Sequence, residues 1–130
     1  MILADTDVLI DYLAGVPVIT EQLTRYIDAD RLWTTAISCF ELQSGASAGK
    51  RGDAVRRLAA SLGVLSLDRA AAERAADVRR HLGRAGQSIG MADSLIAGIA
   101  IVHDLPLLTR NQKHFARVAG LELVAIESRR

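Results

Sequence analysis

Apolar residues along this chain fall into two kinds of run that take turns. Short ones, at 2–4 (ILA), 32–35 (LWTT), 64–67 (VLSL), 107–109 (LLT) and 121–126 (LELVAI), show no clear polar alternation and predict strands buried on both faces. Between them lie segments with helical spacing. These are Asp7–Leu13, ended near Gly15 and Pro17, then Val18–Ile27, Ile37–Gln43, closed by Ser44 and Gly45, and Asp53–Leu62. Further on come Ala-rich Arg69–Arg84 behind an Asp68 cap, the nearly all-apolar Ile89–His103, and a short helix from Asn111 through Val118. Such alternation predicts an α/β fold with a parallel sheet covered by helices on both sides. The 130 residues suit one domain, 1–130, with one core.

Composition narrows the class. With 50% hydrophobic and 24% charged residues the chain is globular rather than disordered. Its longest apolar or glycine run, Leu95–Val102, is far short of the ~20 residues that span a bilayer, so no transmembrane helix is expected. The N-terminus has no basic region and meets Asp5 almost at once, which is unlike a secretory signal and points to the cytoplasm. The single Cys39 cannot form an internal disulfide and has no histidine near it in sequence, so it reads as a small buried hydrophobe rather than a nucleophile.

Net charge is only +1, but its distribution is uneven. Residues 1–47 carry seven acids and two bases, residues 48–130 eight acids and fourteen bases. Acids lining a pocket with bases on its rim would attract a polyanion through a bridging cation; two unrelated solvated faces would give the same totals. The arginines of Arg69–Arg84 likewise read as a solvated face, with RNA or partner contact as the alternative.

Four positions stand out. Asp93 is the only ionisable residue from Ile89 through Val102, and an unpaired buried carboxylate costs several kcal/mol, more than the ~0.3–1 kcal/mol a helix start returns. Ala97 and Ala100 share its stripe and would let that face press against neighbouring backbone. Glu41 is the only charge between Leu32 and Gly49, although Ser38 and Glu41 also have the spacing of a capping box. Asp5 follows the first strand, at the end where open parallel sheets bind ligands. Asp7 is better placed as a helix-start acid, and either Asp5 or Thr6 as the cap. Asn111 follows a later strand at a helix start and by itself is an ordinary cap; Thr109 and Arg110 beside it could hold a phosphate or orient a water. If the topology gathers Asp5, Glu41, Asp93 and Asn111 at one end of the sheet, the carboxylates must share protons or bind a cation. Oxygen donors without a cysteine cluster or HExxH point to Mg²⁺ or Mn²⁺ rather than zinc.

Taken together, ILADTDVLIDYL, AISCFELQSG, MADSLIAGIAI and LLTRNQKHFARVAGL, in this order and over the whole chain, resemble the PIN domain and within it the VapC-type toxin ribonucleases. The resemblance implies a three-layer α/β/α sandwich with a mainly parallel sheet, and hydrolysis of RNA by a metal-activated water. It assigns Asp5 and Asp93 as principal ligands of Mg²⁺ or Mn²⁺, with Glu41 completing the cluster or orienting the attacking water. Asn111 takes the fourth position, as an amide where some relatives have aspartate, which argues against a second metal in the absence of RNA. Asp7 stands where relatives often carry asparagine or serine, and His114 where an acid is expected. A homodimer is also implied, with a cognate antitoxin whose tail occupies the groove and sets a basic side chain near the acids. Lys50, Arg51, Arg110 and Lys113 are the candidate rim bases for RNA, and the aromatics mostly read as core.

Three other readings remain in view. ADTDVL fits the Asp-x-Asp pair of a haloacid-dehalogenase-like phosphatase. Asp5 and Asp7 with Asp68 as phosphoacceptor and Thr109 as switch fit a receiver-like signalling module, although a lysine after the last strand is missing. The same fold could also serve as a catalytically inactive binding module.

Overall fold

A computed structural model describes residues 1–46 and 48–127. Among them are five strands and seven helices: β1 (Ile2–Ala4), α1 (Thr6–Leu13), α2 (Pro17–Asp28), β2 (Leu32–Thr35), α3 (Ala36–Gly45), α4 (Lys50–Ser61), β3 (Gly63–Leu65), α5 (Arg69–Arg84), α6 (Met91–Val102), β4 (Leu107–Leu108), α7 (Gln112–Phe115) and β5 (Leu123–Val124). Every element expected from the apolar pattern is present. The differences are at the ends: the last strand shrinks from 121–126 to two residues and the last helix from 111–118 to four.

The sheet is parallel throughout, in the order β3-β2-β1-β4-β5. Side-chain alternation along such short strands divides the core in two. Ile2, Ala4, Leu32 and Leu108 face one layer, with Val8, Leu9, Ile19, Leu23, Leu42 and Leu58 of α1–α4. Leu3 and Leu107 face the other, with Val78, Leu82, Ile96, Ala97, Ala100 and Phe115 of α5–α7. The result is the three-layer α/β/α sandwich, with strands apolar on both faces as buried parallel strands must be.

Helix starts follow local chemistry. Pro17 opens α2 at its first turn, where a missing N–H costs nothing. Asp68 caps α5 by accepting from the Ala71 N–H. For α3 the cap is Thr35, whose hydroxyl accepts from the Ser38 N–H at 3.0 Å, so the Ser38–Glu41 capping box does not form. The close approach expected at Ala97 and Ala100 occurs instead at Gly98, against α5. A Cβ there would lie 2.5 Å from the Ala71 carbonyl oxygen and 2.8 Å from the Ala75 Cβ, while Ala97 and Ala100 lie in the core beneath. Phe40 departs from the expectation of core aromatics, being 71% exposed on α3. No helix among the described residues is long and apolar enough to cross a membrane.

Strand order decides where chemistry can happen. From β1 the chain moves outward through β2 and β3, then returns to place β4 on β1's other side. The connections on either side of the β1–β4 pair therefore lie on opposite faces, leaving a crevice beyond their carboxyl ends. Asp5 follows β1 there, and Thr109 follows β4.

Candidate active site

Asp5 is 6% exposed and caps α1, with Oδ1 accepting from the Thr6 N–H at 2.8 Å. Its Oδ2 accepts from the Thr109 hydroxyl at 2.7 Å. Despite these bonds the carboxyl is pushed up to about 7, first by burial and then by the charge of Asp7, with a smaller push from Asp93.

Asp7, read from sequence as support, projects into the same crevice. One oxygen, Oδ2, accepts from the Arg110 N–H at 3.1 Å and lies 3.3 Å from the Thr109 hydroxyl. The other, Oδ1, is buried without a hydrogen-bond partner among the described residues. Burial raises its carboxyl above the usual range, opposed by Arg110. One turn along α1, Asp11 holds the Arg110 side chain at 2.9 Å, so this predicted rim base is engaged in fixing the turn after β4.

Thr109, expected to hold a phosphate or orient a water, is fully buried. Its hydroxyl is spent within the protein, donating to Asp5 and accepting from the Asn111 N–H at 3.0 Å. Asn111 stands at the cap position of α7, but its side chain makes no capping bond and the residue is exposed.

Asp93 lies in the first turn of α6 with its side chain 34% exposed, less buried than its apolar helix implied. Burial is the first cause lifting its carboxyl, reinforced by Glu41 and Asp7 and opposed by His114. His114 Nε2 lies 3.3 Å from Asp93 Oδ2. The Arg117 side chain approaches the His114 Nδ1 at 2.7 Å. A guanidinium can only donate, so Nδ1 accepts and the Nε2–H faces Asp93. The position expected to hold an acid thus carries a donor directed at one.

Glu41 is exposed rather than buried in α3, with Oε1 accepting from the Thr6 hydroxyl at 2.7 Å. That hydroxyl also pairs with Ser38 at 2.9 Å. Thr6 and Ser38, read from sequence only as helix caps, tie the Asp5 and Glu41 elements together. Their signal was adjacency: Thr6 follows Asp5 directly, and Ser38 lies one turn before Glu41 on the same helix face.

Lys50 and Arg51 stand with Glu41 at a groove of about 390 Å³ between α1, α3 and α4, walled by Ile10, Leu13, Leu42 and Val55. Lys113 is exposed on α7, beside His114. Asp68 takes no part in the cluster: its carboxylate is used in capping α5, against the phosphoacceptor role in a receiver-like reading. Cys39 is partly buried and its thiol is pushed up by burial, the state of an unreactive cysteine.

Among the described residues, no three His, Cys, Asp or Glu side chains form a group that could hold a metal ion as they stand. The carboxylates are engaged in hydrogen bonds within the protein. Thr6 and Thr109 donors occupy both oxygens of Asp5 and one of Glu41. The donor set still suits a hard cation: it consists of oxygens, burial lifts the Asp5, Asp7 and Asp93 carboxyls, neighbouring acids add to Asp5 and Asp93, and Asp7 Oδ1 is buried without a hydrogen-bond donor among the described residues.

Comparison with known proteins agrees with this architecture. Residues 2–121 match the PIN domain family. The chain is 39% identical over 115 residues to ribonuclease VapC10 of Mycobacterium tuberculosis, covering 88% of this chain and 86% of the relative. It is 28% identical over 99 residues to the tRNA(fMet)-specific endonuclease VapC of Shigella flexneri, covering 73% and 75%. Among solved structures, DNA-bound VapBC of Salmonella typhimurium superposes with a TM-score of 0.83 at 27% identity, over 95% of this chain and 98% of the other. VapBC-1 of nontypeable Haemophilus influenzae gives 0.82 at 28%, over 95% and 97%.

Proposed function

The chain belongs to the PIN-domain family and, within it, to the VapC-type toxin ribonucleases, and from that premise we propose that it hydrolyses RNA phosphodiesters with Mg²⁺ or Mn²⁺ held by Asp5, Asp93 and Glu41. The observation that carries the metal assignment is the crowding of Asp5, Asp7 and Asp93 beyond β1 and β4, where each carboxyl is lifted by burial and the charge of neighbouring acids adds to Asp5 and Asp93. A divalent cation relieves such crowding, and when bound it activates a water and neutralises charge developing on the phosphoryl oxygens.

The protein's own residues supply position. Thr109 and the Thr6 N–H fix the Asp5 carboxylate, and His114, set by Arg117, faces Asp93. Glu41, engaged through Oε1, keeps Oε2 for a water or the cation. Asn111, exposed after β4, is assigned as the fourth member, an amide rather than an acid. No serine or cysteine nucleophile is required, so hydrolysis is direct.

As the toxin of a toxin–antitoxin pair, the protein works in the cytoplasm as a homodimer. Its antitoxin is the proposed occupant of the apolar groove beside Glu41, with Lys50 and Arg51 at the rim. Lys113 and the exposed part of Arg110 remain as RNA contacts.

The test is cleavage of RNA by the purified protein with Mg²⁺ or Mn²⁺ and its loss with chelator. Asp93→Asn should lower the rate by about a hundredfold or more, since loss of even the groups that only support a metal's ligands costs about 10–100-fold. Full activity of that variant would refute the assignment, and phosphate release from small esters would favour a phosphatase. Growth arrest on induced expression should depend on Asp5 and be relieved by the antitoxin.

A further inference from the structure

We propose that a cationic groove on the α5 face holds the phosphate backbone of the RNA whose scissile bond enters the acidic site, an inference that rests on the ribonuclease reading. The groove has a volume of about 350 Å³ and runs between α5 and the turn after α7, lined by Arg74, Arg80, His81, Arg84, Val118 and Ala119. Its acid, Asp77, is already paired with Arg80. Arg74 and Arg84 face it with no ion-pair partner among the described residues.

Solvated bases at a helix end explain part of this. His81 and Arg84 lie in the last turn of α5, where positive charge complements the helix dipole by ~0.3–1 kcal/mol. Arg74 does not fit that account. It lies well before the helix end and is half-buried, and its guanidinium reaches across to the turn after α7, so that a Cβ on Gly120 would come 3.3 Å from Nη2. A half-buried guanidinium without a carboxylate is favourable when an anion joins it, and its planar fork matches phosphate.

Position links the groove to the cleavage site. The segment whose His114 faces Asp93 continues through Arg117 into Val118 and Ala119, so acids and groove flank one short stretch of chain. Phosphates approaching the acids are repelled until cations hold them, and the nearer Arg110 offers only the part of its guanidinium that Asp11 leaves free. No Phe, Tyr or Trp lines the groove, so it would grip backbone rather than read bases.

The experiment measures binding of a fluorescein-labelled oligouridylate to cleavage-deficient Asp93→Asn protein by anisotropy across a salt series. Adding Arg74→Glu and Arg84→Glu should weaken binding and lower the slope of log K against log salt by about 1.4, at ~0.7 per lost single-strand phosphate contact. Arg31→Glu with Arg57→Glu, an equal charge change on β2's approach and α4, should leave the slope near that of the parent, and Arg74→Lys with Arg84→Lys should keep most of it. With folding verified by circular dichroism, reversal variants that bind like the control overturn the groove. Loss of antitoxin capture with RNA affinity intact overturns it as well, by making the surface a protein dock. A parent protein that binds no RNA sinks the ribonuclease reading together with the groove, whereas a binding parent with indifferent reversal variants sinks the groove alone.

Discussion

Replacing Asp5 with asparagine should make the metal-free protein more stable at pH 8 while leaving it nearly unchanged at pH 4. The carboxyl rises from 3.8 to about 7 on folding, chiefly through burial. Between those values the folded state keeps a proton that the unfolded state has released, so stability falls as pH rises through this window and levels off above 7. Three pH units at ~1.36 kcal/mol each set the loss at up to about 4 kcal/mol. Asparagine preserves shape and can still accept from the Thr6 N–H, while the Thr109 hydroxyl can turn to accept from its amide. Urea unfolding of chelator-treated protein, followed by Trp33 fluorescence, gives the two stabilities across pH. The variant should gain on the parent steadily from pH 4 to pH 7, and Mn²⁺ should reverse the order by stabilising the parent preferentially. A stability difference that does not vary with pH would refute both the burial argument and the protonation of Asp5 in the metal-free state.

Three further outcomes follow from the same geometry. Thr109→Val strands Asp5 Oδ2 and the Asn111 N–H, so it should cost about 1–3 kcal/mol in a urea melt and move the acidic limb of the cleavage pH profile upward, because a bond that lowers the Asp5 carboxyl is lost. Asp7→Asn keeps an acceptor for the Arg110 N–H but removes a charge from the cluster, and calorimetry should show Mn²⁺ binding weakened about tenfold or more. An unchanged dissociation constant would assign Asp7 to holding the turn alone. Gly98→Val forces α5 and α6 apart and should cost about 3 kcal/mol in thermal unfolding, with cleavage by the surviving folded fraction intact.

Local pattern was enough for the elements, because strands buried on both faces leave an apolar run and helix starts leave their caps in the sequence. Ile2–Ala4, Leu32–Thr35 and Arg69–Arg84 behind Asp68 keep the bounds that pattern gave them. The isolation of Asp93 marked it as costly to bury, and Asp5 after the first strand marked the sheet's carboxyl end. What one-dimensional spacing cannot carry is strand order, and strand order places Thr109 against Asp5 across 104 residues. That contact sets Thr109 as a buried group that positions Asp5. It also drew Asp7 into the crevice, where sequence had given it only the helix start. Glu41 and Phe40 reversed in the other direction: both looked buried by their neighbours in sequence, yet α3 turns them outward. Burial belongs to a helix face, and which face meets the sheet is decided by packing. In ADTD, therefore, the sequence determined that two carboxylates stand at a strand end, while the β1–β4 pairing alone determined that they share one threonine and one crevice.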